Sequence, residues 1–401
     1  MMLKQSKTST PVLTERVQRV QPSATLTISA KAMALKAQGI DIISLSAGEP
    51  DFDTPDHIKE AGIQAIQKGQ TKYTPVDGTP ELKDAIVNKF SQDNNLLYQP
   101  ENILVSSGAK QTCFNLFQAI LEHGKEAVII SPYWVSYPDM VLLANGSPVI
   151  LKTSFENNFQ FNAEDLDSVL TVNTRLLMLN SPSNPTGVTY TKDQYQIIAE
   201  VLKNYPNVLI ATDDMYEHIY WGEDKFYSFA EACPDLFERT ITINGVSKAY
   251  AMTGWRIGYC GGPPKIVAAM KKIQGQSTSN ASSVSQAAAV MALNGTHESV
   301  HSMTREYERR HKFIFAALNE IRGFKTVAAT GAFYTFPEVI NAIEYLNLTD
   351  DIEFSDYLLE KARVAVVPGT AFGAKGHIRL SFATSMELLK EAVSRIKEVL
   401  K

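Results

Sequence analysis

The sequence predicts an α/β fold, with a mostly parallel sheet sandwiched by helices in a large unit and a smaller α+β unit built from both chain ends. Three observations lead there. Short apolar runs alternate with amphipathic helical stretches from about residue 100 to residue 262, the pattern of strands covered on both faces. After about residue 296 that alternation gives way to one long helix and a mixed α/β tail. A chain of 401 residues is also too long for one compact core.

Taken in order, the segment before residue 50 reads as a helix over about 25–38 and a strand. "NILVSS" (102–107) is a buried strand, and "AKQTCFNLFQAILEHG" (109–124) a helix ended by Gly124. "EAVIIS" (126–131) is a strand, "WVSYPDMVLLANG" (134–146) a helix and "SPVILK" (147–152) a strand. "TRLLMLN" (174–180) is a strand, "TKDQYQIIAEVLKNYP" (191–206) a helix and "NVLIATDD" (207–214) a strand. "RTITING" (239–245) and "RIGYCGG" (256–262) are two more strands, and "ESVHSMTREYERRHKFIFAALNEI" (298–321) is a long helix with a charged face. The expected division is 1–50 as N-terminal arm and part of the small unit, 51–300 as the large unit, and 301–401 as the rest of the small one.

Composition excludes several classes. A net charge of −5 offers no basic field for nucleic acid or anionic lipid. No apolar run is long enough to span a bilayer. "MMLKQSKTSTPVLTERVQRV" lacks an apolar signal core, so a cytoplasmic location is expected; its polar, basic start reads as a plain tail, with a transit peptide as the alternative. Cys113, Cys233 and Cys260 show no paired spacing and read as buried thiols in a reducing compartment.

In such sheets ligands bind beyond the carboxyl ends of the strands, so the residues that follow strands are the informative ones. Ser107-Gly108-Ala109-Lys110 opens a helix after a strand, where free N–H groups can hold an anion; an ordinary turn is the plainer reading. Asp213 and Asp214 end a strand, and Tyr216 lies three residues beyond Asp213: a carboxylate there can pair with a protonated ring nitrogen and the phenol with a ring oxygen, or either aspartate can cap the next element. Asn184 sits in "LNSPSNPTG" (179–187), a loop stiffened by two prolines. Trp134, just past a strand, can stack on an aromatic ring or fill a core. Arg379 lies inside the apolar strand "GHIRLSFATS" (376–385), where it needs an anion, either a bound carboxylate or a structural ion pair. Lys248 follows "TITINGVS" in an uncharged loop, which suits an amine that loses its proton and attacks a carbonyl better than a solvated lysine. Arg256, eight residues on, is a candidate phosphate ligand. "HESVH" (297–301) matches the zinc-peptidase pattern through His297 and His301, but Thr296 before it and the charged helix after it point to a solvated helix start; no metal is expected.

Ten segments occur together and in order: "SLSAGEPDFDTP", "KYTPVDGTPELKDAI", "SSGAKQ", "SPYWVSYP", "NSPSNPTG", "TDDMYEHIY", "NGVSKAYAMTGWRIGY", "GAFYTFP", "VVPGTAFG" and "IRLSFATS". The set resembles the class I aminotransferases that use pyridoxal phosphate, fold type I, and more narrowly the bacterial aspartate aminotransferases whose subgroup includes prephenate aminotransferases. The resemblance covers nearly the whole chain from about residue 15. It implies that Lys248 binds the cofactor aldehyde and later shuttles the substrate's α-proton. Asp213 would face the ring nitrogen, Tyr216 and Asn184 the ring oxygen, and Trp134 the ring face. Ser107, Gly108, Ala109 and Arg256, with Lys110 and Ser247 beside them, would hold the phosphate. Arg379 would clamp the substrate α-carboxylate near the Gly48 backbone. The family's site lies at a homodimer interface, with the position of Tyr73 reaching the partner's phosphate.

One departure bears on specificity. A related subgroup binds the distal carboxylate with an arginine from the partner subunit, and the matching stretch here, "GQSTSNASS" (275–283), contains none. Lys110 matches the lysine that does this work in the resembled subgroup. Gln21 stands where some relatives that accept prephenate carry a basic residue. The expected reaction moves the amino group of L-aspartate to 2-oxoglutarate. The alternatives are a transaminase for prephenate, aromatic or alanine-type substrates, a pyridoxal-phosphate lyase, or a non-catalytic cofactor-binding regulator.

Overall fold

A computed structural model of the chain describes residues 13–401, so most of the stretch read as a tail or transit peptide lies outside the described residues. All seven runs expected as strands between residues 102 and 262 are strands: β1 Ile103–Ser106, β2 Glu126–Ser131, β3 Ser147–Lys152, β4 Thr174–Asn180, β5 Leu209–Asp213, β6 Thr240–Gly245 and β7 Gly258–Gly261. They form one sheet in the order β1-β7-β6-β5-β4-β2-β3. From β6 to β3 every neighbour is parallel. β7 is the exception and runs antiparallel to both β1 and β6.

Alternation along each strand sends its residues to opposite layers. Leu176 and Met178 of β4 pack with Cys113 and Leu116 of the helix Ala109–Ile120. Leu177 and Leu179 pack with Tyr195 and Ile198 of the helix Lys192–Lys203 on the other side. Ile103 and Val105 of β1 meet Leu82 and Ile86 of the helix Pro80–Asn94. Each fully buried leucine of this kind contributes about 2 kcal/mol. The three cysteines are free and buried in these layers.

The helix expected to run to Gly124 stops at Ile120. Leu121 turns extended (φ −105°, ψ 147°) and buries its side chain in the same layer as Leu116. Gly124, at φ +80°, serves the turn into β2 instead.

Ile43–Ser44, from the start of the chain, pairs in parallel with Val364–Ala365 near its end. Tyr334–Thr335, Ile378–Ser381 and Val367–Pro368 make a three-stranded antiparallel sheet. The helix Glu298–Asn319 buries Val300, Met303, Tyr307, Ile314 and Leu318, a spacing of three, four and seven that forms one stripe. Met303, Tyr307, Ile314 and Leu318 of that stripe pack with Leu389, Val393 and Ile396 of the helix Met386–Val399, whereas Val300 joins the layer of Leu82 and Ile86. We propose that these elements are the small unit, 1–50 with 301–401, beside the large unit 51–300, with the unbroken helix Glu298–Asn319 as the joint.

Candidate active site

The reversal of β7 shapes the site. Its antiparallel register sets Gly258 opposite both Ser106 and Gly245. Arg256, just before β7, therefore stands at the same sheet edge as Ser107 and Ser247-Lys248, which follow β1 and β6. Two glycines let these groups converge. A Cβ on Gly108 (φ +86°) would lie 2.3 Å from Arg256 Nη2, and one on Gly258 would lie 2.1 Å from the Ala109 nitrogen. Arg256 itself holds a left-handed φ of 55° and donates from Nη1 to the Thr253 carbonyl at 2.9 Å. The first N–H groups of the helix Ala109–Ile120 have no acceptor within the helix, and they open beside this guanidinium.

A cavity of about 520 Å³ lies over the sheet edge. It is lined by Gly48, Ala109, Lys110, Trp134, Asn184, Asp213, Tyr216, Ser247, Lys248, Arg256 and Arg379, all singled out in the sequence. Ser107 lines an adjoining cavity of about 610 Å³ together with Lys110, Arg256 and Gln21. Tyr73 is apart from both, 89% exposed on its own chain.

Lys248 Nζ donates to the Gly48 carbonyl at 2.5 Å. Burial pushes its amine down to about 8; Glu49 opposes that shift, while Arg256 and Arg379 add to it. The half-buried side chain and its bond to the Gly48 carbonyl do not suit a solvated lysine. Burial pushes the Asp213 carboxyl up, opposed by the Tyr137 hydroxyl, the Met215 N–H and the Lys248 charge. No helix starts at either aspartate, but Asp213 Oδ1 accepts the Met215 N–H at 3.3 Å and so also caps the turn that follows. Asp214 is fully buried, neither oxygen has a partner among the described residues, and burial, with the Glu217 charge beside it, pushes its carboxyl well above the usual range.

Arg379 is 2% exposed and meets no carboxylate among the described residues. Its Nη1 donates to Asn184 Oδ1 at 2.9 Å and its Nη2 to the Ser46 carbonyl at 2.8 Å. Nε has no partner, and the guanidinium lies over the rings of Tyr334 and Phe372 at 4.5 and 5.0 Å. A structural ion pair is excluded. A buried cation held by neutral groups, with a donor left over, is suited to an anionic ligand. Asn184 is set from its other side: its N–H donates to Asn180 Oδ1, and Asn180 Nδ2 donates to the Asp213 carbonyl, both at 2.8 Å.

Trp134 is half-buried: it lines the cavity and also packs against the layer of Leu116 and Tyr137. Lys110 Nζ lies 5.0 Å from its ring centroid, and burial beside Arg256 pushes that amine down. Sequence reasoning missed two tyrosines here. Tyr334 shares a 2.9 Å hydrogen bond with the Tyr216 hydroxyl, and Tyr137 donates to Asp213 Oδ2 at 2.6 Å. Both sit in the quoted segments "GAFYTFP" and "SPYWVSYP", but a tyrosine among uncharged residues carries no signal that separates a site from a core.

His297 and His301 do not come together on a metal. Thr296 Oγ1 accepts the Glu298 N–H at 3.3 Å from one position ahead of the cap, which is His297 and not Thr296 as expected. His297 turns inward, 3.4 Å from the Tyr250 hydroxyl, and His301 is exposed. The grouping of potential metal ligands found among the described residues, Asp93, Glu217 and His218, includes neither, and Lys89 already neutralises Glu217.

The family model for aminotransferases of classes I and II matches residues 40–396. The chain belongs to that family. This aminotransferase is 53% identical over 394 residues to the aspartate/prephenate aminotransferase of Nitrosomonas europaea, spanning 97% of this chain and 99% of that one. It is 46% identical to an aspartate aminotransferase of a Bacillus species, over 97% of this chain and 99% of the other. Its structure resembles the aspartate aminotransferase of Rhizobium meliloti with a TM-score of 0.92 at 45% identity, covering 97% and 98% of the two chains. The Thermus thermophilus aspartate aminotransferase with maleate gives 0.92 at 42% identity, covering 98% and 100%. The fold is that of fold type I enzymes, and the activity class is transamination. Family membership implies dependence on pyridoxal phosphate. The residues present fit that group: a buried amine of lowered basicity lies in one cavity with a buried carboxyl, and a glycine-lined helix start meets an arginine where a phosphate needs donors.

Proposed function

We propose that this transaminase moves the amino group of L-aspartate to 2-oxoglutarate, giving oxaloacetate and L-glutamate. The observation that carries the reading is the pair of cations in one cavity around Lys248. Arg379 has a donor to spare, and Lys110 is poised on the Trp134 face. A dicarboxylate offers one group to each. The Thermus thermophilus aspartate aminotransferase with maleate, a dicarboxylate, and the relatives named for aspartate agree with this choice.

When bound, pyridoxal phosphate supplies an electrophilic aldehyde and an electron-withdrawing ring that makes the substrate's α-proton acidic. Lys248, lowered to about 8, is partly unprotonated at neutral pH and serves first as nucleophile and then as the base at the α-carbon. Asp213 would face the ring nitrogen and favour its protonated form. Tyr216 and Asn184 would act on the ring oxygen, and Trp134 would pack the ring face. Ser107, Gly108, Ala109, Ser247 and Arg256 would hold the phosphate, and Lys110 would add charge near it. Arg379 fixes the α-carboxylate beside Gly48. We also infer a homodimer that carries Tyr73 to the partner's phosphate. Ile63 and Ile66, on the helix next to Tyr73, are 48% and 59% exposed, which suits a covered face. Among the described residues no helix is long and apolar enough to cross a membrane, and we take the cytoplasm as the working location.

The names of several relatives favour a second reading, with prephenate as the amino acceptor. Against it, Gln21 brings no charge to the adjoining cavity. One experiment separates these readings. Protein loaded with pyridoxal phosphate is mixed rapidly with L-aspartate, L-alanine or L-phenylalanine, and the loss of the cofactor's long-wavelength absorption is timed. The amino form is then offered 2-oxoglutarate or prephenate. Fastest conversion with aspartate and recovery by 2-oxoglutarate is expected. Failure to take up the cofactor, faster reaction with alanine or phenylalanine, or continuous turnover without an oxo acid would overturn the assignment, the last in favour of a lyase.

A further inference from the structure

Tyr137 enters the cavity from the helix Ser136–Leu143 and is 2% exposed. Its hydroxyl donates to Asp213 Oδ2 at 2.6 Å, the short separation typical of a hydroxyl on a charged acceptor. Its ring meets Trp134 edge to face, with centroids 5.2 Å apart and planes at 84°. One side chain therefore touches two of the groups that surround the cofactor ring. We propose that Tyr137 is a positioning residue for this reaction: its hydroxyl fixes the Asp213 carboxylate toward the cavity, and its ring edge holds the Trp134 plane. The inference rests on the reading of Asp213 as the partner of the cofactor's ring nitrogen.

Asp213 has few other supports. The Met215 N–H reaches Oδ1 only at 3.3 Å, near the limit of a useful bond. The remaining titratable groups that act on the pair are Lys248, Asp214, Tyr216 and Cys113. Burial pushes Asp214, Tyr216 and Cys113 all up, which disfavours a charge on each beside the carboxylate. Burial also pushes the Tyr137 hydroxyl far up. It stays a neutral donor over the whole working range, and an imidazole in its place would titrate. The hydrogen bond favours the ionised carboxylate against the burial that disfavours it.

The test compares wild type, Tyr137→Phe, Tyr137→His and Asp213→Asn. Phenylalanine keeps the ring edge on Trp134 and removes only the hydroxyl. Cofactor affinity, melting of the cofactor-free protein, and kcat and KM for L-aspartate against pH are measured for each. For Tyr137→Phe we expect wild-type melting and cofactor affinity weakened about tenfold. The acid limb of kcat should move up by about one pH unit, with KM changed less than about twofold. Tyr137→His restores a donor, so affinity recovers, with a new pH dependence in the imidazole range. A folded Tyr137→Phe with wild-type affinity and acid limb overturns the proposal. If that variant does not fold, a folded Tyr137→His that recovers neither quantity overturns it instead. Wild type that takes up no cofactor, or Asp213→Asn that matches wild type, overturns the reading of Asp213 itself.

Discussion

Replacing Lys248 by methionine is expected to stabilise the cofactor-free protein while abolishing turnover. The amine titrates near 8 in the fold against a usual 10.5. That gap of about 2.5 units corresponds to about 3.4 kcal/mol of disfavoured burial. Water in the open cavity screens part of it, which leaves about 2 kcal/mol. The sign follows from proton counting. Between pH 8 and 10.5 the unfolded chain binds the extra proton, so this lysine's penalty is full below about 8 and fades as pH rises toward 10.5. Methionine has a similar volume and no charge, and the Gly48 carbonyl it leaves behind can turn to cavity water. With an unfolding entropy of about 2.1 cal/mol/K per residue, 2 kcal/mol raises the melting temperature of a chain this long by roughly 2 °C. The assay is thermal melting of cofactor-free wild type and Lys248→Met from pH 6.5 to 10.5. The variant should melt higher at neutral pH, and the gap should close at the alkaline end. A gap that is absent at pH 7, or that does not change with pH, would refute the argument that burial lowers this amine.

Two further outcomes follow from the same geometry. Gly108→Ala puts a Cβ 2.3 Å from Arg256 Nη2 at a φ of +86°, so the guanidinium must move; affinity for pyridoxal phosphate, measured by equilibrium dialysis, should fall at least about tenfold. Arg379→Lys keeps the charge and loses the fork that spans Asn184 and Ser46, and kcat/KM for L-aspartate should fall by about 10²–10³-fold with cofactor affinity unchanged.

The sheet was legible because each strand is a short apolar run that stops at a polar or glycine-containing turn, as "TRLLMLN" stops at Asn180 and "TITING" at Gly245. The direction of β7 was not. Nothing in "RIGYCGG" distinguishes a parallel from an antiparallel neighbour, because both of its faces are buried. The end of the helix at Ile120 was also hidden, since Leu121 continues the apolar pattern and leaves the helix only to fill the layer beneath it. Among site residues, Lys248, Arg379 and Asp213 stood out because a charge in an apolar segment needs a reason. Tyr137 and Tyr334 did not, because tyrosine suits a core equally well until its hydroxyl partner is known. Tyr216 was read for its hydroxyl only through the nearby aspartates.

Arg379 stands on a strand close to the end of the chain, whereas the groups proposed for the phosphate lie between Ser107 and Arg256. Chains emerge from the ribosome amino end first and fold as they go. On the proposed roles, a nascent chain completes its own share of the cofactor receptor well before it acquires the clamp for the substrate. A product truncated ahead of Arg379 would carry those phosphate-binding groups without that clamp.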